Sequence, residues 1–122
     1  MTSSLLALVS KCEEVPTFEG YEPLRVKGLT LAHVTSLLKN YKDTLGTLIS
    51  QDETTDINWR ELLTEAPEFC QQVMCMALRA TKAEEQEAVR ELPLGIQIDV
   101  LIATWNMTSI DPKIVEAAAK KL

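Results

Sequence analysis

The chain has 122 residues, of which 46% are hydrophobic and 25% charged, and its formal net charge is −6 at pH 7. A chain of this length forms about one domain and buries roughly two-thirds of its unfolded surface, so it can fold without metals or disulfides. The negative charge argues against a function that depends on neutralising nucleic-acid phosphates. We predict one helical domain over residues 1–122 and no nucleic-acid partner.

The cysteines and the apolar runs indicate the compartment. Cys12, Cys70 and Cys75 form no CxxC pair, and their odd count favours free thiols in a reducing environment. The apolar run over residues 5–9 is too short for the core of a signal peptide. The longest apolar stretch is shorter than the ~20 residues that a membrane-spanning helix needs. We therefore expect a soluble intracellular protein with no membrane partner.

The first quarter of the chain predicts a short helix and an irregular loop. An early serine can cap a helix from Leu5 to about Glu14. Residues 15–28 contain two prolines and two glycines, which interrupt helical structure. One short strand fits this loop, from about Leu24 to Val26.

The longest predicted helix runs from Thr30 to about Ser50. Its apolar residues alternate in spacings of three and four, as on one side of an amphipathic helix. This seam consists of Leu31, Val34, Leu38, Tyr41, Leu45 and Leu48. Leu37 and Ile49 widen it beyond a coiled-coil stripe, which favours packing in a bundle. We predict that the seam also supports self-association into a homo-oligomer.

Two further helices follow a polar connection at residues 51–55. Asn58 and Glu61 form a capping-box pattern that opens a short helix. That helix is predicted to end before Pro67, because the residue preceding a proline avoids the α conformation. Pro67 then begins the second helix, since proline suits the first helical position. The side chains predicted to face the core from this second helix are Phe69, Val73, Met76 and Ala77, with Cys70 and Met74 at the flanks.

A second capping-box pattern and a proline pair predict two more helices. Thr81 and Glu84 are expected to open a largely solvated helix that continues to about Glu91. Asp111 supplies a cap before a proline and predicts a last helix that extends to Lys121.

The segment Leu92–Met107 is the most apolar part of the chain. Alternation over residues 96–100 resembles a strand, but the segment's length and its helical neighbours favour a helix that begins at Pro93. A helix that is apolar nearly all round must be buried in a core or against a partner. The side chains predicted to bind a partner are Leu94, Ile98, Leu101, Ile102 and Trp105. For Leu101 and Trp105, burial in the chain's own core is the alternative.

Nothing in the sequence predicts catalysis. The only histidine, His33, lies in the first turns of the long helix, where a structural role is the more common one. Zinc-binding motifs, nucleophile elbows and phosphate-binding glycine loops are missing from the sequence. We predict a protein that is not an enzyme and that uses no metal and no cofactor. The fold class is all-α, a small single-domain bundle of about six to seven helices with the irregular loop near residues 15–28.

Two segments carry a resemblance to a known family. Val-Lys-Gly-Leu-Thr at Val26–Thr30 leads into the long amphipathic helix, and a Leu-Pro-Leu segment at Leu92–Thr108 ends in Met-Thr. With its acidic charge and its size, the chain resembles the tail assembly chaperones of long-tailed, lambda-like bacteriophages. The resemblance implies a factor in the host cytoplasm that binds the tape measure protein, helps tail-tube subunits polymerise and is absent from the virion. It also implies a second, longer product made by ribosomal frameshifting.

Two other functions fit the same residues. A generic helical adaptor or oligomerisation protein, or a small transcription cofactor, would also combine surplus apolar helix surface with no catalytic group. A DNA-binding helix-turn-helix protein is disfavoured, because no predicted helix presents several basic residues on one side.

Overall fold

A computed structural model describes residues 7, 8, 10–50 and 58–108, with the side chains of all of these except residues 47–50. Helices dominate the described part and a small two-stranded sheet accompanies them, which confirms the predicted all-α class. The elements are β1 (Glu13–Val15), β2 (Leu24–Val26), α1 (Leu31–Ser50), α2 (Trp59–Glu65), α3 (Pro67–Leu78), α4 (Ala83–Arg90) and α5 (Leu94–Thr108). The polar connection at 51–55 and the predicted last helix lie outside the described residues.

The two strands form an antiparallel hairpin, in which Glu13 lies opposite Val26 and Val15 lies opposite Leu24. The strand predicted at Leu24–Val26 is confirmed, but the prediction that the first helix continues to Glu14 is wrong. Residues 7, 8 and 10 are helical, and the chain then becomes extended. Val15 and Val26 are both buried, so pairing across the loop and burial of two valines outweigh the local helical pattern.

Helix α1 begins at the predicted position. The hydroxyl of Thr30 accepts a hydrogen bond from the backbone N–H of His33 at 3.2 Å. In return, the backbone N–H of Thr30 donates to Nδ1 of His33 at 3.1 Å. The pair is a capping box in which histidine takes the place of the usual glutamate. The lone histidine therefore has a structural contact of its own.

The middle of α1 departs from helical geometry at Tyr41, where φ is −139° and ψ is 45°. The Tyr41 ring packs edge-on against Phe69, with 5.6 Å between ring centroids. Helix α2 begins as predicted, because Oδ1 of Asn58 accepts a hydrogen bond from the N–H of Glu61 at 3.1 Å. Pro67 is the first residue of α3, also as predicted.

Helix α3 lies at the centre of the fold and contacts α1, α2, α4, α5 and β2. Cys70 and Met74, predicted at the flanks of its core side, are fully buried, whereas Met76 is only half-buried. Cys70 and Met74 are more deeply buried than predicted because neighbours cover α3 on several sides. Gln71 is also buried, and its side-chain amide donates to the carbonyl oxygen of Gln86 at 2.8 Å.

Helix α4 begins one capping position later than predicted. The backbone N–H of Lys82 donates to the carboxylate of Glu85 at 3.2 Å, and the helix starts at Ala83. The predicted box at Thr81 and Glu84 is therefore displaced by one residue. Val89 is the one buried residue of this helix, which agrees with its predicted solvated character.

Candidate functional site

Helix α5 is a single helix over Leu94–Thr108, which settles the earlier ambiguity between helix and strand. Three of its polar side chains, those of Gln97, Thr104 and Thr108, donate hydrogen bonds to backbone carbonyl groups. The Gln97 amide donates to the carbonyl oxygens of Val89 at 3.0 Å and of Arg90 at 3.2 Å. The Thr104 hydroxyl donates to the carbonyl oxygen of Val100 at 2.7 Å. An apolar helix can thus carry these polar side chains without leaving them unsatisfied.

One side of α5 belongs to the core of the domain. Its buried residues are Val100, Leu101, Ala103 and Thr104. The side chain of Leu101 is 0% exposed, so this predicted partner-binding residue lies in the interior of its own chain.

A second side of α5 is apolar and accessible. Leu94 is 58% exposed and Ile102 is 41% exposed, with the half-buried Ile98 between them. Residues four apart lie on the same side of a helix, so the three side chains form one continuous line. We call Leu94, Ile98 and Ile102 the α5 ridge. All three belong to the predicted partner-binding set.

Trp105 lies at the edge of the core and is half-buried. Its ring meets the ring of Trp59 edge-on, with 5.9 Å between centroids and an interplanar angle of 68°. Both rings line a small apolar cavity together with Leu29, Phe69 and Leu101. Trp105 therefore contacts the core of its own chain, although part of the ring stays accessible.

The C-terminal end of α5 is held by the turn between β2 and α1. The backbone N–H of Leu29 donates to the Thr108 hydroxyl at 3.0 Å. The N–H of Lys27 donates to the carbonyl oxygen of Ala77 at 3.0 Å, which joins the same turn to α3. The two segments that carry the family resemblance, Val26–Thr30 and Leu92–Thr108, are thus in direct contact. We call this contact the α5 anchor.

Glycine is required at the centre of the α5 anchor. A Cβ atom at Gly28 would lie 2.6 Å from the carbonyl oxygen of Met107, closer than side chains approach backbone. Arg79 binds the same turn, because its guanidinium donates to the carbonyl oxygen of Gly28 at 3.0 Å and to that of Met76. The Arg79 backbone is left-handed, with φ at 57°, where α3 ends.

Two titratable groups beside the α5 anchor are perturbed. Burial, and then the positive charge of Arg79, lower the pKa of His33 below its ordinary value of 6.5. A neutral His33 is needed for its contact with Thr30, since Nδ1 must accept a hydrogen bond there. Burial also lowers the pKa of Arg79, which nonetheless stays charged near neutral pH.

Cys70 and Cys75 are buried thiols. Burial raises the pKa of Cys70 to about 11 and also raises the pKa of Cys75. All three cysteines are free, as predicted. Over the described residues, no three metal-ligating side chains come together and no helix is long and apolar enough to cross a membrane.

The seam of α1 faces mainly inwards. Val34, Leu38 and Leu45 are buried in the core, and Tyr41 is half-buried. Leu31 is 65% exposed, and the side chain of Leu48 lies outside the described part. Self-association through this seam stays a prediction. Leu31 is the exposed seam residue that could contact another copy of the chain.

The loop that joins β1 to β2 lies outside the predicted binding residues. This loop carries two exposed aromatic residues, Phe18 and Tyr21, which contact each other edge-on. The sequence does contain a signal for an exposed surface here, namely two aromatic residues between Pro16 and Pro23. The prolines limit the conformational freedom of the loop that carries the two aromatic side chains.

The family model of the pre-tape measure protein matches residues 3–122. The chain therefore belongs to the pre-tape measure protein family, a family related to phage tails. Among curated proteins and among solved structures, nothing matches this chain.

Proposed function

We propose that this protein is a non-enzymatic tail assembly chaperone that binds the tape measure protein through the α5 ridge. The observation that carries the proposal is the accessibility of Leu94 and Ile102 on a helix whose other side fills the core. Family membership supports the link to the tape measure protein, because the family is named for it.

The shape and chemistry of the α5 ridge fit a helical partner. Side chains at intervals of four form a straight apolar edge, which meets the apolar side of another helix. Asp99 lies exposed on the same helix and would favour a partner with basic residues beside its apolar ones. Covering Leu94, Ile98 and Ile102 removes apolar surface from water on both partners, and that burial drives association.

The remaining parts of the proposal follow the resemblance to lambda-like tail chaperones. The protein acts in the host cytoplasm, brings tail-tube subunits to the tape measure protein and leaves before the virion is complete. Self-association, with Leu31 as its accessible residue, would place several α5 ridges along one extended tape measure chain. A longer frameshifted product belongs to the same proposal.

Co-expression tests the proposal directly. The tape measure protein of the same genome is produced alone, with this chain, and with the double variant Leu94→Asp/Ile102→Asp. The wild-type chain should move the tape measure protein into the soluble fraction, and the double variant should fail, because aspartate opposes burial of the ridge. Ala32→Asp is the matched control, since Ala32 is an exposed helical residue away from the ridge.

Two results would contradict the proposal. The tape measure protein could be equally soluble without this chain, which would remove the chaperone function. Alternatively, the double variant could act as well as Ala32→Asp, which would remove the α5 ridge as the binding surface. Circular dichroism and thermal melting of each variant confirm that the compared chains are folded.

A further inference from the structure

The loop between β1 and β2 is an ordered tip. The N–H of Tyr21 donates to the carbonyl oxygen of Phe18 at 3.0 Å. The Thr17 hydroxyl donates to the carbonyl oxygen of Glu22 at 3.0 Å. Gly20 has φ of 87°, a left-handed conformation that glycine adopts without strain. We call residues 17–22 the hairpin tip.

The aromatic residues of the hairpin tip differ from all others in the chain. Of six aromatic residues, four pack within or against the core, and these are Tyr41, Trp59, Phe69 and Trp105. Phe18 is 60% exposed and Tyr21 is 75% exposed, with 6.5 Å between their ring centroids. An isolated exposed aromatic is ordinary, but two that meet edge-on on one ordered turn are typical of a binding surface.

Charge identifies the class of partner. Glu19 and Glu22 are exposed beside the two rings, and the hairpin tip contains no basic residue. The ion pairs found in the described part of the chain do not include either glutamate. Aromatic faces attract cations, and adjacent carboxylates attract the same cations, so both features favour lysine or arginine.

We propose that the hairpin tip binds a polypeptide segment in which lysine or arginine residues alternate with apolar ones. The aromatic rings contact the apolar and cationic side chains, and Glu19 and Glu22 pair with the charges. The two carboxylates disfavour the binding of nucleic acids and of anionic lipid surfaces, because both of these carry negative charge themselves. The proposal does not depend on the identity of the tape measure protein or on the α5 ridge.

Peptide titration of the full chain tests the proposal. The probe is a short amphipathic peptide of leucine and lysine, and its comparison is the same peptide with glutamate in place of lysine. Binding is read at the backbone amides of Gly20 and Tyr21 by NMR, so that binding at the α5 ridge is recorded separately. The lysine peptide should shift these amides in a saturable manner and more weakly at high salt. The glutamate peptide should leave them unchanged.

Paired variants separate the two contributions. Phe18→Ser/Tyr21→Ser should weaken binding at the tip, read at Gly20, about tenfold or more, since exposed aromatics dominate the contact. Glu19→Gln/Glu22→Gln should weaken it by about threefold to tenfold.

Glu65→Gln/Glu91→Gln removes the same two charges from exposed sites elsewhere and should leave binding at the tip unchanged. Equal binding by the aromatic variant, equal binding of the glutamate peptide, or equal weakening by the control variant would each overturn the proposal. Thermal melting verifies that every variant folds, which the exposure of all six side chains favours.

Discussion

The two ends of α5 are equally apolar in sequence, but the rest of the chain covers them to different extents. At the C-terminal end, Gly28 lies against Met107, and Leu29 donates a hydrogen bond to Thr108. At the other end, Gln97 joins the helix to α4 through hydrogen bonds, but Leu94 stays exposed. The C-terminal end is therefore packed, whereas the N-terminal end is held in place by hydrogen bonds but stays exposed to solvent.

This contrast shows how one helix can contribute to stability and to binding at the same time. A fully covered α5 would contribute only to the core, and a loosely attached one would lose entropy on meeting a partner. The α5 anchor and the Gln97 contacts hold the α5 ridge in one orientation before any partner arrives. Three experiments test how the domain is held together around α5, in decreasing order of predicted effect.

The core side of α5 should dominate the stability of the domain. Leu101→Ala is expected to lower the free energy of unfolding by about 2–5 kcal/mol, because Leu101 is fully buried and truncation leaves a cavity. Leu94→Ala is the matched variant on the ridge and should change stability by less than about 0.5 kcal/mol. Urea denaturation measures both values. Similar losses in the two variants would show that the ridge is part of the core.

The α5 anchor should be intolerant of a single methyl group. Gly28→Ala is expected to cost about 1–3 kcal/mol of stability, because the new Cβ would overlap the carbonyl group of Met107. Gly46→Ala is the control, since no atom lies within 4 Å of a Cβ added there. That control should be neutral or stabilise α1 by up to ~1 kcal/mol. A neutral Gly28→Ala would mean that the anchor is not closely packed.

Protonation of His33 should weaken the start of α1, with a smaller effect than Gly28→Ala. The pKa of His33 is lowered in the folded chain, first by burial and then by Arg79, so the unfolded chain binds the proton more readily. Stability is therefore complete above the ordinary pKa of 6.5 and falls as the pH decreases through it towards the folded value. Denaturation midpoints between neutral and mildly acidic pH measure this loss.

The control for this pH dependence is His33→Gln. Glutamine keeps a side-chain acceptor for the N–H of Thr30 but does not titrate. The difference in pH dependence between the wild type and this variant is the His33 contribution. If both chains lose stability in parallel on acidification, the contact between His33 and Thr30 is not pH-sensitive.

Local rules were sufficient for much of the helical structure. The cap at Asn58 and the start of α3 at Pro67 depend on groups within one helical turn, so the sequence alone predicts them. The apolar surplus of α5 was also visible as a pattern, and Leu94, Ile98 and Ile102 were among the residues it selected. The helix predicted as far as Glu14 was wrong because β1 depends on its partner strand, which the residues around Glu13 do not reveal.

Sequence patterns were enough to predict the helical class, the helices α1 to α3 and the surplus of apolar surface on α5. Packing between distant segments, in contrast, places Leu101 inside and Ile102 outside, although the two are neighbours in an apolar run. Periodicity identifies the apolar positions of a helix, whereas the burial of each position depends on which distant segment covers that side. At the C-terminal end of α5 the covering segment is the Gly28 turn. At the other end, no segment of the described chain covers Leu94.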